Sequence, residues 1–286
     1  MKNICKNCGT KFTGNYCNTC GQKADTGKLT FRSVIDNWAY GLTNCDTGIL
    51  FTYKELFTRP GRMLADYISG KRVIYFKPFP MLFITAGLYG LLTQILIPEA
   101  ATPTVLTPEI VSPGTQTVKP ADPSFWSRIF HYFYEWANTS MAFSVIITLP
   151  LYAWAARCTF RIKKGYLYNY TEYLFIFAYM ACQRLVVGIF LEIPLLIYTG
   201  KNEIEGNWST LLYLIYFSLT GWDLGQLFKF SVKKTIKKTI QLYLYWFLGI
   251  LLLAVTLVIL CILLVALLKA LGWGPAQDAW LEMFEN

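Results

Sequence analysis

Five long apolar blocks constrain this chain more than any other feature. Each is close to the roughly 20 helical residues that cross about 30 Å of hydrocarbon. They lie near residues 79–97, 139–156, 170–198, 208–228 and 242–268. Inside a bilayer every backbone N–H and C=O must find a partner within the protein, and a helix supplies one for each. The expected fold is therefore an all-α polytopic membrane protein of about five transmembrane helices. Composition agrees. Hydrophobic residues make up 55% and charged residues 15%, against about 25% charged in a soluble domain. Tyr and Trp gather near many block ends, as an interfacial aromatic belt does.

The basic residues give the orientation. Segments 1–78, 157–169 and 229–241 together hold 21 Lys and Arg, the opposite side holds four, and Arg184 lies within a block. Cytoplasmic segments collect Lys and Arg, so the expected topology is N-terminus inside and C-terminus outside. This bias accounts for most of the net charge of +9, and nucleic acid is disfavoured as a partner. Residues 1–9 are polar and lack the apolar core of an export leader, so the N-terminus is expected to stay in the cytoplasm.

The expected organisation is a small N-terminal unit over 1–28, amphipathic juxtamembrane helices over 29–78, the helix bundle over 79–271 and an external tail over 272–286. Thr30 can cap a helix with Val34, Ile35, Trp38 and Leu42 on one face. A second helix is expected from Gly48 to Phe57. A third has Pro60 in its first turn and ends at Gly70. These helices carry too many charges to span, so they are expected to lie on the cytoplasmic surface, apolar side down. Segment 98–124 holds six prolines and is expected to be an extended loop. An interfacial helix is expected over Phe125 to Ala137.

The N-terminal unit carries the strongest chemical signal. Cys5-Lys-Asn-Cys8-Gly9 and Cys17-Asn-Thr-Cys20-Gly21 are two copies of C-x-x-C-G. Each copy places two thiolates on a tight turn, and four thiolates close a tetrahedral site around one structural zinc ion. Gly9 and Gly21 suit the positive φ such turns need. Phe12 and Tyr16 are expected to pack beside the metal, with a hairpin turn near Gly14-Asn15. So short a unit draws its folding free energy from the metal. A redox dithiol and an iron–sulfur cluster are the competing readings. The first usually needs one pair near a βαβ pattern, which is absent, whereas iron also binds four thiolates. The remaining cysteines (Cys45, Cys158, Cys182 and Cys261) read as small apolar residues.

Three pieces of sequence together resemble an uncharacterised bacterial family of membrane proteins with an N-terminal zinc ribbon. The first runs from Cys5-x-x-Cys8-Gly9 to Cys17-x-x-Cys20-Gly21-Gln22. The second is Asp46-x-Gly48 leading to Leu56 and Arg59-Pro60-Gly61. The third is Tyr67-x-x-Gly70-Lys71-Arg72-x-x-Tyr75-x-x-Pro78. The resemblance covers residues 1–97 and implies this architecture in a bacterial inner membrane, with no known activity.

Two further groups of residues invite functional readings. Arg59, Arg62, Lys71, Arg72 and Lys77 cluster at the membrane entry and can bind anionic lipid head groups; ordinary positive-inside anchoring is the plainer alternative. Gln94, Arg184, Glu192 and Asp223 lie in the apolar blocks, where charges usually face a bundle interior and find partners. Arg184 is expected to reach Asp223 across neighbouring helices, joined by Gln94. That arrangement is either a structural ion pair or a polar site for an ion, proton or lipid.

The chain shows no phosphate loop and no dinucleotide fingerprint, and His131 is its one histidine. The sequence therefore favours a non-enzymatic membrane adaptor that recognises a protein partner through its ribbon and can assemble with copies of itself. A transporter of a small solute, ion or lipid built on Arg184, Glu192 and Asp223 is the alternative.

Overall fold

A computed structural model describes residues 3–31, 48–97, 141–162, 165–200, 204 and 206–270. The expected helix around Val34 to Leu42, the proline-rich segment, the interfacial helix at 125–137 and the tail lie outside these residues. Two β-ribbons and seven helices are seen among them. Strands β1 (Asn3–Ile4) and β2 (Lys11–Phe12) pair antiparallel, Asn3 opposite Phe12. Helices α1 (Gly48–Thr58) and α2 (Pro60–Ser69) precede α3 (Pro78–Leu96). Helix α4 (Met141–Thr159) leads through the hairpin β3–β4 (Arg161–Ile162, Gly165–Tyr166) into α5 (Tyr170–Thr199). Helices α6 (Asn207–Phe228) and α7 (Val232–Ala270) complete the described fold.

Three helical stretches are long and apolar enough to cross a membrane: Pro78–Leu96, Tyr170–Thr199 and Val232–Leu260. Helices α4 and α6, expected as spans, pack among them. The fifth span is expected to begin at Leu242 after a loop. Instead α7 is continuous from Val232, because residues 232–241 contain neither Pro nor Gly to break it. The lysines of that stretch, Lys233, Lys234, Lys237 and Lys238, therefore occupy helical turns rather than a loop.

Local signals explain the helix ends. Pro60 and Pro78 stand at the starts of α2 and α3, where a missing N–H costs nothing. Asn169 and Glu172 form a reciprocal capping box at the start of α5. Gly70 ends α2 at φ 115°.

The core centres on α5, whose Phe175, Ile176, Ala178, Tyr179 and Cys182 are fully buried. Helices α6 and α7 approach closely. A Cβ on Gly225 would stand 3.0 Å from Thr235 Oγ1, and one on Gly221 3.4 Å from Thr239 Oγ1. Small residues spaced four apart let two helix backbones approach in this way.

Of the expected juxtamembrane helices, the two that are described, α1 and α2, pack against the bundle. Tyr67 of α2 is buried, its ring against Phe175 and Tyr179 of α5. Gly61 lies against the α6 backbone, its N–H donating to Gln226 Oε1 at 3.3 Å. In α1, Leu56 is wholly buried, and its carbonyl accepts from Gln183 Nε2 at 3.2 Å. Packing covers part of their apolar surface, while Leu50 and Phe51 of α1 stay 78% and 41% exposed. One end of the bundle thus gathers α1, α2, the start of α3, the end of α6 and the start of α5. The end of α4 joins the same group, since Thr159 accepts from Lys238 Nζ at 2.7 Å and Phe160 stacks on Phe228.

Candidate metal centre and polar membrane sites

The two knuckles fold as their glycines suggest. Gly9 takes φ 75° and Gly21 φ 71°, letting Gly9 N reach Cys5 O and Gly21 N reach Cys17 O. The ligand atoms converge: Cys5 Sγ is 3.5 Å from Cys20 Sγ, Cys8 Sγ is 3.6 Å from Cys17 Sγ, and all four lie within 4.8 Å of one another. These separations suit four thiolates around one ion at about 2.3 Å. Cys5 and Cys17 are buried with Phe12, as expected. Tyr16 does not join that buried cluster: its side chain is 62% exposed, and its backbone pairs with Lys23 in an isolated bridge. Hydrogen bonding with the Thr10 side chain and backbone pulls the Cys8 thiol down to about 6, while burial pushes Cys20 up to about 11. A bound cation would favour the thiolate at all four.

The ribbon is bonded to the bundle. Gln22, two residues past Cys20, is buried, and its Oε1 accepts from the backbone amides of Arg72 and Val73 at 3.3 and 3.2 Å. Arg72 Nη2 donates back to Gly27 O at 2.9 Å, and Lys6 Nζ donates to Thr26 O at 3.2 Å. Gly70 has no room for a side chain beside Thr26. Farther on, Leu29 is buried in the main core and its carbonyl accepts from Asn169 Nδ2 at 3.1 Å. In the sequence Gln22 belongs to a motif but shows no role. Only the fold brings residues 50 positions apart together.

The five entry cations do not form one open cluster. Arg59 makes a two-pronged pair with Glu55 at 2.6 and 2.7 Å, and this pairing raises its pKa. Lys71 pairs with Asp66 at 2.9 Å. Arg72 is spent on the carbonyls of Gly27 and Tyr67. Arg62 is exposed, and Lys77 stands at the start of α3. The entry segment itself is pinned: Phe76 N donates to Thr52 Oγ1 at 2.8 Å, and Phe76 O accepts from Tyr179 at 2.6 Å.

The charges in the apolar blocks also fall apart into separate environments. Arg184 is not paired with Asp223. Its guanidinium lies over the rings of Tyr152 and Tyr216, 5.4 and 5.8 Å from their centres, an arrangement in which ring faces attract the cation. The cavity beside it, lined by Tyr152, Phe177 and Thr220, measures about 10 Å³, room for about one water. Asp223 is buried next to Gln183, the residue preceding Arg184 and so about 100° away around α5. That rotation separates the two charges. Glu192 accepts from Tyr216 at 3.1 Å and is also hydrogen-bonded to Tyr89. Gly188 leaves the space for this group, since a Cβ there would stand 3.0 Å from Tyr89 and 3.2 Å from Glu192. Gln94 is exposed and does not join. Tyr152, Tyr216 and Tyr89 escape sequence reading because a tyrosine in an apolar block reads as core or belt.

A model for a family described as a protein of unknown function (DUF3667) matches residues 46–90. The match takes in the second and third resemblance motifs and ends within α3, leaving the ribbon outside it. No curated protein and no solved structure matches the chain.

Proposed function

We propose that the chain is a membrane-anchored zinc-ribbon scaffold that presents a fixed surface to a protein partner in the cytoplasm of a bacterium. One structural zinc sits on Cys5, Cys8, Cys17 and Cys20. The chain crosses the inner membrane five times, N-terminus inside, with α4 and α6 as the second and fourth crossings. The alternating positions of helix ends around the ribbon, together with the 21-to-four bias of Lys and Arg, support that topology.

The observation that carries the adaptor reading is the Gln22 joint to the Arg72 and Val73 amides. A ribbon so held is oriented relative to the membrane, which reduces the ordering cost of binding a partner. Ile4 and Tyr16 project from it, 66% and 62% exposed. The transporter reading has less support, because a one-water cavity at Arg184 does not accommodate a solute in this conformation.

Site-specific photo-cross-linking in native membranes tests this reading. A photoreactive residue at Tyr16 is expected to yield a discrete cross-link to a protein. The product should vanish with Cys17→Ser/Cys20→Ser and persist with Arg184→Met. Cross-links to lipid alone, or a product that depends on Arg184 and not on the cysteines, overturn the adaptor reading.

A further inference from the structure

A second group of basic residues, without an ion pair among the described residues, lies at the start of α7. Residues 229–241 hold five lysines and no acid. Among the described residues the ion pairs are Arg59–Glu55 and Lys71–Asp66, so none of these lysines has a carboxylate within reach there. Lys233 and Lys237 are one turn apart, as are Lys234 and Lys238, and like charges at that spacing repel. Helix starts favour acids rather than bases, and the first turn of α7 contains none.

Helix geometry sorts these side chains into distinct sides. Thr235 and Thr239 face Gly225 and Gly221 of α6. Lys234 lies over the Phe230 ring at 4.1 Å, and Lys238 bonds Thr159 O and Gln241 Oε1; these two are held by the bundle. Lys233 and Lys237 are about 160° around the helix from the threonines and are exposed. Beside them runs an exposed apolar stripe of Val232, Ile236, Ile240 and Leu244, 76%, 48%, 55% and 66% exposed. It continues into the membrane-crossing part of α7. A paired ammonium clamp at one end of an apolar track matches one class of amphiphile.

We propose that this face of α7 holds one anionic phospholipid, its phosphate between Lys233 and Lys237 and an acyl chain along Val232, Ile236, Ile240 and Leu244. The site rests on α7 crossing a membrane and not on the adaptor reading. It moves the lipid-binding expectation away from Lys71 and Arg72, whose side chains are engaged within the protein.

Native mass spectrometry of the full chain, released from detergent micelles with equimolar phosphatidylglycerol and phosphatidylcholine of matched chains, tests it. The expected result is one retained phosphatidylglycerol per chain. Lys233→Gln/Lys237→Gln should weaken this retention about thirtyfold, from roughly 1 kcal/mol per lysine near a membrane surface. Lys233→Arg/Lys237→Arg should restore it, which separates loss of charge from loss of fold. Lys71→Gln/Arg72→Gln should leave it within about twofold. Equal retention of both lipids, unchanged binding in the Gln pair, or full displacement by millimolar inorganic phosphate overturns the proposal.

Discussion

Replacing Gly61 by Ala adds one methyl group where α2 crosses α6. The new Cβ would fall well inside 3.0 Å of the Gln226 backbone carbon and the Leu227 amide nitrogen, a separation real Cβ atoms essentially never show. Because the opposing atoms are backbone, no rotamer change relieves the clash, and α2 must move away from α6. Overpacking of this kind costs about 1–3 kcal/mol, here at the upper end. The displaced helix also weakens the 3.3 Å bond from Gly61 N to Gln226 Oε1, about another 0.5–1 kcal/mol. Alanine's better helix propensity offsets about 1 kcal/mol, leaving a net loss of about 2–3 kcal/mol. At roughly 2–4 °C per kcal/mol for a chain of this size, the midpoint of thermal unfolding in detergent should fall by about 4–12 °C. Gly87 on α3 is the control. It is exposed, and a Cβ added there would meet nothing within 4 Å, so Gly87→Ala should leave the midpoint unchanged or slightly raised. An unfolding midpoint for Gly61→Ala within about 1 °C of the parent refutes the packing argument, as does an equal fall in both variants.

Other outcomes follow from the same contacts. Gln22→Ala removes the acceptor shared by two backbone amides and should speed hydrogen exchange at Arg72 and Val73 by about tenfold or more, while metal content stays at one ion per chain. Elemental analysis should find one zinc per chain and none in Cys17→Ser/Cys20→Ser. Because protons compete with the metal for thiolates, zinc should be retained at neutral pH and released as pH falls toward about 5. Release independent of pH would argue against thiolate ligands. Tyr216→Phe removes the donor to Glu192 and should cost about 1–3 kcal/mol of stability. No change in the unfolding midpoint would mean that Glu192 is satisfied by other groups.

Local signals make much of this fold legible. The C-x-x-C-G spacing locates the four ligands, because each knuckle is a short-range turn whose glycines and thiolates are adjacent in sequence. Pro60, Gly70 and Pro78 mark helix ends for the same reason. Apolar length marks α3, α5 and α7, but hydropathy carries no information about the rotation of a helix about its axis. Sequence therefore aims Arg184 at Asp223, whereas it faces Tyr152 and Tyr216. Gln183 occupies the side facing Asp223 instead. That rotation is set by close contacts such as Gly188 against Tyr89, which join residues about 100 positions apart. Likewise the entry cations resemble a lipid site in the sequence because their partners are invisible there: Asp66 lies five residues from Lys71, but Gly27 O lies 45 from Arg72.

These contacts give the matched stretch, residues 46–90, a physical meaning without an activity. Its distinctive residues are mostly joints. Gly61 admits α6, Tyr67 fills the base of α5, Gly70 clears Thr26, and Arg72 holds Gly27. Leu56 and Tyr75 are buried, and Lys71 neutralises Asp66. Together they pack the segment between the candidate metal site and α3. A metal ion held by the four thiolates would bind strongly relative to the few kcal/mol of such contacts and so would fix the knuckle that positions Gln22. Gln22 in turn fixes the two amides that precede the entry into α3. Gln22 is thus one of several contacts that join the knuckle to the entry segment, beside Arg72 on Gly27 O and Asn169 on Leu29 O.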